Sequence, residues 1–223
     1  MTPEPILAVV FDFDGLILET EGPAFQTWAD IYKEYGHVLP VDQWHGSIGT
    51  DRGFEPVDYL AALVGEGLDR LATQKRRDAR KDELIASLDV MAGVRDYIAD
   101  ARRLGLKLAI ASSASRRWVV GHVERLGIHA HWDAVLTRDD VERSKPSPDL
   151  YVAATSALGV APGRAVALED SPHGIAAAKD AGLLCVAVPN ALTRDLDLSR
   201  ADVRVSSLAE IPLERLLAIL SER

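Results

Sequence analysis

The chain of 223 residues is poor in several things that would each commit it to a class. It has one cysteine, Cys185, so no internal disulfide can form and the fold must rest on an apolar core. Cys185 lies inside an apolar run and is expected to be a buried, inert thiol. Long hydrophobic stretches are missing. The longest, among them 6–11 and 183–188, are six residues each, whereas a membrane-spanning helix needs about 20. No membrane association is expected. The opening Met1-Thr2-Pro3-Glu4-Pro5 has no basic, leader-like character, so a reducing, cytoplasmic setting is expected. Positive charge is also short: 25 Lys and Arg against 34 Asp and Glu, 25 − 34 = −9. That balance argues against nucleic acid as a general partner, because displacing counterions needs a basic surface. Internal repeats and low-complexity tracts are absent.

What remains is a globular balance, 48% hydrophobic and 26% charged, long enough for one large domain with or without an insert. Short continuous apolar runs recur at 6–11, 107–111, 165–168 and 184–188, with weaker ones at 134–136 and 203–205. Unbroken rather than alternating runs suit strands buried on both faces of a parallel sheet. Helical patterns separate them over 94–104, 116–126 and 173–181, each closed by a glycine, and Ser147-Pro148-Asp149 carries the cap-and-proline signature of another helix start. Strand and helix in alternation predict an α/β fold with a Rossmann-like parallel sheet. From residue 18 to 89 the rhythm breaks, and only helical stripes occur: Phe25, Trp28, Ala29, Ile31 and Tyr32; Tyr59, Leu60 and Leu63; then Leu68, Leu71 and Ala72 with Leu84, Ile85 and Leu88. Such a stretch is too long for a loop. The expectation is a core of residues 1–17 and 90–223 with an inserted all-α cap domain over 18–89.

In an open parallel sheet, ligands bind beyond the carboxyl ends of the strands, so the residues just after each apolar run hold the chemistry. Those residues are Asp12-Phe13-Asp14-Gly15, Ser112-Ser113 and Glu169-Asp170, with Lys145 ahead of a capped helix. Four carboxylates in one cleft repel by about 4 kcal/mol per close pair at an effective dielectric of 20. Lys145 alone cannot offset that. A hard divalent cation fits, and Mg2+ prefers oxygen ligands. Two hydroxyls and an ammonium are donors suited to phosphate. The combination points to phosphoryl transfer through a carboxylate nucleophile.

Four motifs in order, FDFDG at 11–15, ASS at 111–113, SKPSPD at 144–149 and LEDSPHGIAAAKDAG at 168–182, resemble the haloacid dehalogenase superfamily of phosphohydrolases. The resemblance spans nearly the whole chain and is nearest to the β-phosphoglucomutase-like and phosphoglycolate-phosphatase-like branch with a helical cap. It implies Asp12 as nucleophile and Asp14 as general acid and then base. It implies Mg2+ held by Asp12, the backbone carbonyl of Asp14, Asp170 and, directly or through an intermediary, Glu169. It also implies Ser112, Ser113 and Lys145 on the phosphate, and Asp14 favours phosphate esters over halides. Family caps carry a substrate-specificity loop near the glycine-rich stretch 46–53, making Thr50, Asp51 and Arg52 candidates. Glu19, Thr20 and Glu21 lie at the exit to the cap as hinge or substrate contacts.

Blander readings exist for most of these residues. Asp12 and Asp14 could be a polar turn, Ser112-Ser113 or Glu169-Asp170 could cap the helices that follow, and Lys145 could be a solvated loop lysine. The cationic run Lys75, Arg76, Arg77, Arg80 and Lys81 reads as a solvated helix face unless one member enters the cleft. His173 reads as a first-turn helix residue, and Trp28 and Trp44 as cap core. The expected function is a Mg2+-dependent phosphatase for a small phosphorylated metabolite, acting as a monomer or weak homodimer. A sugar phosphomutase is the alternative. The mutases this resembles carry a His four residues beyond the threonine, where this chain has Ala24. A non-catalytic phosphate-binding protein is the third reading.

Overall fold

The computed structural model describes residues 5–50 and 53–222. Six parallel strands form its sheet: β1 (Ala8–Phe11), β2 (Lys107–Ala111), β3 (Ala134–Leu136), β4 (Ala165–Glu169), β5 (Leu184–Ala187) and β6 (Val203–Arg204), in the spatial order 3-2-1-4-5-6. The chain first winds outward from β1 through β2 to β3, then returns to β4 on the other side of β1. That reversal creates a switch point between β1 and β4, where a crevice opens at the carboxyl ends.

Side chains alternate between two apolar layers of unequal size. Val9, Phe11, Leu108, Ile110, Val166 and Leu168 point to one face. There they meet α5 (Val94–Arg103), α6 (Arg116–Arg125) and α9 (Leu213–Ser221) through Tyr97, Ile98, Val119, Val123 and Leu216. The other face shows Ala8, Ala109, Ala111, Ala165 and Ala167. With so little bulk on the strands, α7 (Asp149–Leu158) and α8 (Pro172–Asp180) supply the volume through Leu150, Tyr151, Leu158 and Ile175. Cys185 is buried in this second layer, as its apolar setting implies.

Between β1 and α5 lie α1 (Glu21–Glu34), α2 (Val41–His45), α3 (Pro56–Val64) and α4 (Arg70–Ala86). They enclose a third apolar cluster built from Trp28, Ile31, Tyr32, Trp44 and Leu60. Trp28 and Trp44 are therefore packing residues. The insert is not wholly separate from the sheet: Leu18 and Ile85 are buried in the first sheet layer, and Leu88 packs against it. Of the cationic run, Arg76 pairs with Glu34 at 2.7 Å and Arg80 with Glu83 at 2.9 Å, both about half exposed. Such pairs contribute under about 1 kcal/mol.

Local hydrogen bonding sets aside two of the blander capping alternatives and corrects one cap expectation, that of Ser147. Helix α6 is capped by Ser115, which accepts from the Trp118 N–H at 3.4 Å, so Ser112 and Ser113 are not its caps. Helix α8 is capped by Ser171, which accepts from the Gly174 N–H at 3.2 Å, not by Glu169 or Asp170. Ser147 does not cap α7; its hydroxyl is spent on the Asp149 carboxylate at 2.6 Å. Helices α2 and α9 carry no signal used above. The first is one turn long, and the second follows the last strand run.

The return from the insert turns at Gly93, whose φ of +85° is open to glycine at little cost. A Cβ there would sit 2.3 Å from the Leu208 carbonyl carbon. Gly93→Ala is expected to cost about 3 kcal/mol and lower Tm by roughly 6–12 °C, read by calorimetry. An unchanged Tm would mean the turn relaxes freely.

Candidate active site

The register of the central strands sets the site. Phe11 is level with Ile110 on one side and Leu168 on the other, so the residues that follow all emerge at one sheet edge. The Asp12 N–H donates to the Leu168 carbonyl at 3.0 Å, which extends the ladder one residue and pins Asp12 beside Glu169. Ser112 is fixed in the same way, its N–H donating to the Leu136 carbonyl at 3.0 Å.

Lys145 is the hub. It is 1% exposed, and its ammonium donates to Asp12 Oδ1 and, at 2.6 Å, to Glu169 Oε1. The Tyr151 hydroxyl donates to the same Glu169 oxygen at 2.6 Å. The second Glu169 oxygen accepts from the Asp170 N–H at 3.2 Å and the Ser171 hydroxyl at 3.4 Å. Asn190 Nδ2 donates to Asp170 Oδ2 at 2.7 Å. Asp170 Oδ1 is buried with no hydrogen-bond partner. Gly15, with a φ of +82°, lets the backbone pass so close that a Cβ there would lie 2.3 Å from Asp170 Oδ2.

Oxygens of Asp12, Glu169 and Asp170 lie within 4.8 Å of one another. One ammonium cannot balance three buried carboxylates. The charge book closes by protonation: burial pushes the Asp12 carboxyl up to about 8, against the pull of Lys145 and with a push from Glu169. Burial, then Asp12 and Glu169, raise Asp170 well above the carboxylate range. Burial works against the Lys145 charge, yet Asp12 and Glu169 outweigh it and hold the ammonium protonated. Both partners thus shift upward and hold their protons more tightly, in a buried site with too many acids around a single base. An all-oxygen donor set with one orphaned, buried carboxylate oxygen suits a hard divalent cation.

Asp14 points elsewhere. Its Oδ1 accepts from Thr20 Oγ1 and from the Trp118 indole, each at 2.9 Å, and its Oδ2 lies 3.4 Å from the Ser112 hydroxyl. A cleft of about 470 Å³ opens here, bordered by Asp12, Asp14, Thr20, Ser112, Ser113 and Thr50. Its upper wall carries Arg77 and Lys81 from α4, so two members of the cationic run do enter it. The glycine-rich loop rests on the sheet side. Ser113 Oγ donates to the Gly49 carbonyl at 3.2 Å, and His173 Nδ1 lies 2.9 Å from the Ile48 carbonyl. His173 is thus a loop contact at the start of α8. Asp51 and Arg52 fall outside the described residues.

Three contributors escaped the strand-end reasoning. Asn190 follows the 184–188 run and was open to the same logic. Tyr151 and Trp118 sit inside helices, and only packing turns them to the site, whereas Glu21 was already a hinge or contact candidate. Glu21 lines the cleft with its carboxyl pushed up to about 7 by burial and then by Asp14 and Glu19.

Burying this much like charge next to an open cleft has no use in a passive scaffold; the arrangement is that of a hydrolytic α/β enzyme. The chain belongs to the haloacid dehalogenase-like hydrolase family, whose model matches residues 9–188. It is 41% identical to YhcW of Bacillus subtilis (strain 168) over 98% of this chain and 99% of that one. It is 30% identical to validoxylamine A 7'-phosphate phosphatase of Streptomyces hygroscopicus subsp. limoneus over 91% and 94%. A crystal structure of a CbbY variant from Rhodobacter sphaeroides in complex with xylulose-1,5-bisphosphate superposes with a TM-score of 0.72 at 30% identity, covering 92% of this chain and 96% of that one.

The charge balance has a pH signature. Asp12 binds its proton more tightly folded than unfolded, so its contribution is complete below about 4 and is lost as pH rises towards about 8. Without divalent cation, wild type should lose stability relative to Asp12→Asn across that window, by on the order of a few kcal/mol. Chemical denaturation in EDTA measures this, and added Mg2+ should close the gap by favouring the carboxylate. A difference independent of pH would remove the protonated-carboxyl account.

Proposed function

We propose that this chain is a Mg2+-dependent phosphatase of small phosphorylated metabolites that works through an aspartyl-phosphate on Asp12. The observation that carries the reading is the buried Lys145 bridging Asp12 and Glu169 beside the unpartnered oxygen of Asp170, at the floor of a cleft bordered by serine hydroxyls. The phosphatase name of one relative and the sugar bisphosphate in the structure of another favour phosphorylated carbohydrate-like substrates.

Asp12, Asp170 and the Asp14 carbonyl would hold the cation, with Glu169 behind them because both its oxygens are already engaged. When bound, Mg2+ would neutralise charge on the phosphoryl oxygens and keep Asp12 ionised. Asp12 attacks phosphorus as the ester P–O bond breaks, and Asp14 gives a proton to the departing alkoxide. Asp14 then takes a proton from water as that water attacks the aspartyl-phosphate, which frees phosphate and regenerates Asp12. Lys145 restrains Asp12 and offsets negative charge, while Ser112 and Ser113 donate to phosphate oxygens. The helices of residues 18–89 act as a cap domain that chooses the substrate. Thr20 and Thr50 would face the substrate from the cleft wall, as would Arg77 and Lys81. Ala24 borders the cleft where the resembled mutases place histidine, so water rather than a second sugar hydroxyl is the acceptor.

Phosphate release from a panel of sugar, polyol and nucleotide phosphates and phosphoglycolate tests the reading. Asp12→Asn should lower kcat by at least about a thousandfold and Asp14→Asn by roughly a hundredfold or more, and EDTA should stop turnover until Mg2+ is restored. An isomerised sugar phosphate formed without free phosphate would favour a mutase instead. A folded protein with no turnover at any pH would leave only phosphate binding.

A further inference from the structure

We infer that Trp118 is a positioning residue for Asp14: its indole N–H turns the carboxyl so that Oδ2, and not Oδ1, faces the reacting oxygen. The inference rests on the phosphatase reading above and adds a residue that none of the four motifs contains.

Two donors converge on one oxygen. Trp118 Nε1 and Thr20 Oγ1 both lie 2.9 Å from Asp14 Oδ1. An oxygen that accepts two hydrogen bonds is a poor place for a proton, because a carboxylic O–H must donate. Its partner Oδ2 lies on the Ser112 side, 3.4 Å from that hydroxyl, at the corner assigned to phosphate. The proton passed to the leaving group therefore rides on Oδ2. As the ester bond breaks, its electron pair goes to the leaving oxygen, which takes that hydrogen. The negative charge left on Asp14 is met by the two donors already aimed at Oδ1. In the second half, water gives a proton to the same oxygen as its own oxygen bonds phosphorus, and the bond from phosphorus to the Asp12 oxygen breaks with its electron pair returning to the Asp12 carboxylate.

The indole cannot easily do otherwise, since its ring is held on several sides. His122 packs edge-on against it, centroids 4.3 Å apart, and itself stacks on Phe13, the residue between the two aspartates. The Lys81 ammonium sits 4.2 Å from the ring centroid. Lys81 comes from α4, so the insert completes the clamp and the posture of Asp14 is tied to the insert's seat on the sheet.

Leaving-group chemistry reads this role directly. Dinitrophenolate departs without a proton, whereas a sugar alkoxide needs one, and kcat/KM covers all steps up to that departure. Trp118→Phe keeps an aromatic ring and loses the donor. Replacing Trp118 by 3-benzothienylalanine keeps the bicyclic shape with sulfur in place of N–H. Both are expected to lower kcat/KM for the most active sugar phosphate of the panel about tenfold more than for dinitrophenyl phosphate. Equal losses on the two substrates, a larger loss on the aryl ester, or a benzothienyl variant with the wild-type ratio would overturn the role. A wild-type protein that turns over neither ester would instead remove the phosphatase reading, a result separable from these.

Discussion

A single buried ammonium among three buried carboxylates governs the catalytic end of this molecule. Lys145 reaches Asp12 and Glu169 at once, and Tyr151 shares the load on Glu169. Taking these charges out of water is expensive, and the pair attractions do not cover it. The excess is carried by protons on Asp12 and Asp170 or by a cation that replaces them. A metal held by the same oxygens, as proposed, would compete with those protons and so couple binding, stability and pH in one site. The surrounding sheet is what makes the cluster tolerable, because its rigid register holds each carboxylate where it can be answered.

The two aspartates of one turn receive opposite treatment. Asp12 is buried against Lys145 in the low-dielectric floor. Asp14, two residues on, turns towards the cleft and is met by neutral donors from Thr20 and Trp118. Different surroundings for carboxyls two residues apart are what the proposed division into nucleophile and acid requires. The insert takes part in the surroundings of Asp14: it supplies Thr20, and Lys81 against Trp118, and its loop is seated on Ser113 and His173. Its own apolar cluster keeps it shaped, while Leu18 and Ile85 root it in the sheet's core.

Much of the fold was legible because continuous apolar runs and glycine-ended helical stripes are local signals. β2 and β3 span the runs at 107–111 and 134–136, and β1, β5 and β6 are shorter than theirs by one or two residues at the ends. Capping was not legible. Ser112, Ser115 and Ser171 are chemically alike, and only the backbone turn decides which faces an open N–H. Trp118 and Tyr151 were equally out of reach, since on helices the side that faces the site depends on how the helix sits on the sheet.

The order of residues alone determined that acids and hydroxyls follow apolar strand runs, with a lysine ahead of a helix, because burial on both faces leaves only the strand ends free for polar chemistry. It also fixed the excess of negative charge. Only the tertiary structure decided which carboxylate meets Lys145, which oxygen of Asp170 goes without a partner, and that a helix-borne indole grips Asp14. Those outcomes depend on distances of a few ångströms between segments more than a hundred residues apart, and such distances are set by packing, not by spacing along the chain.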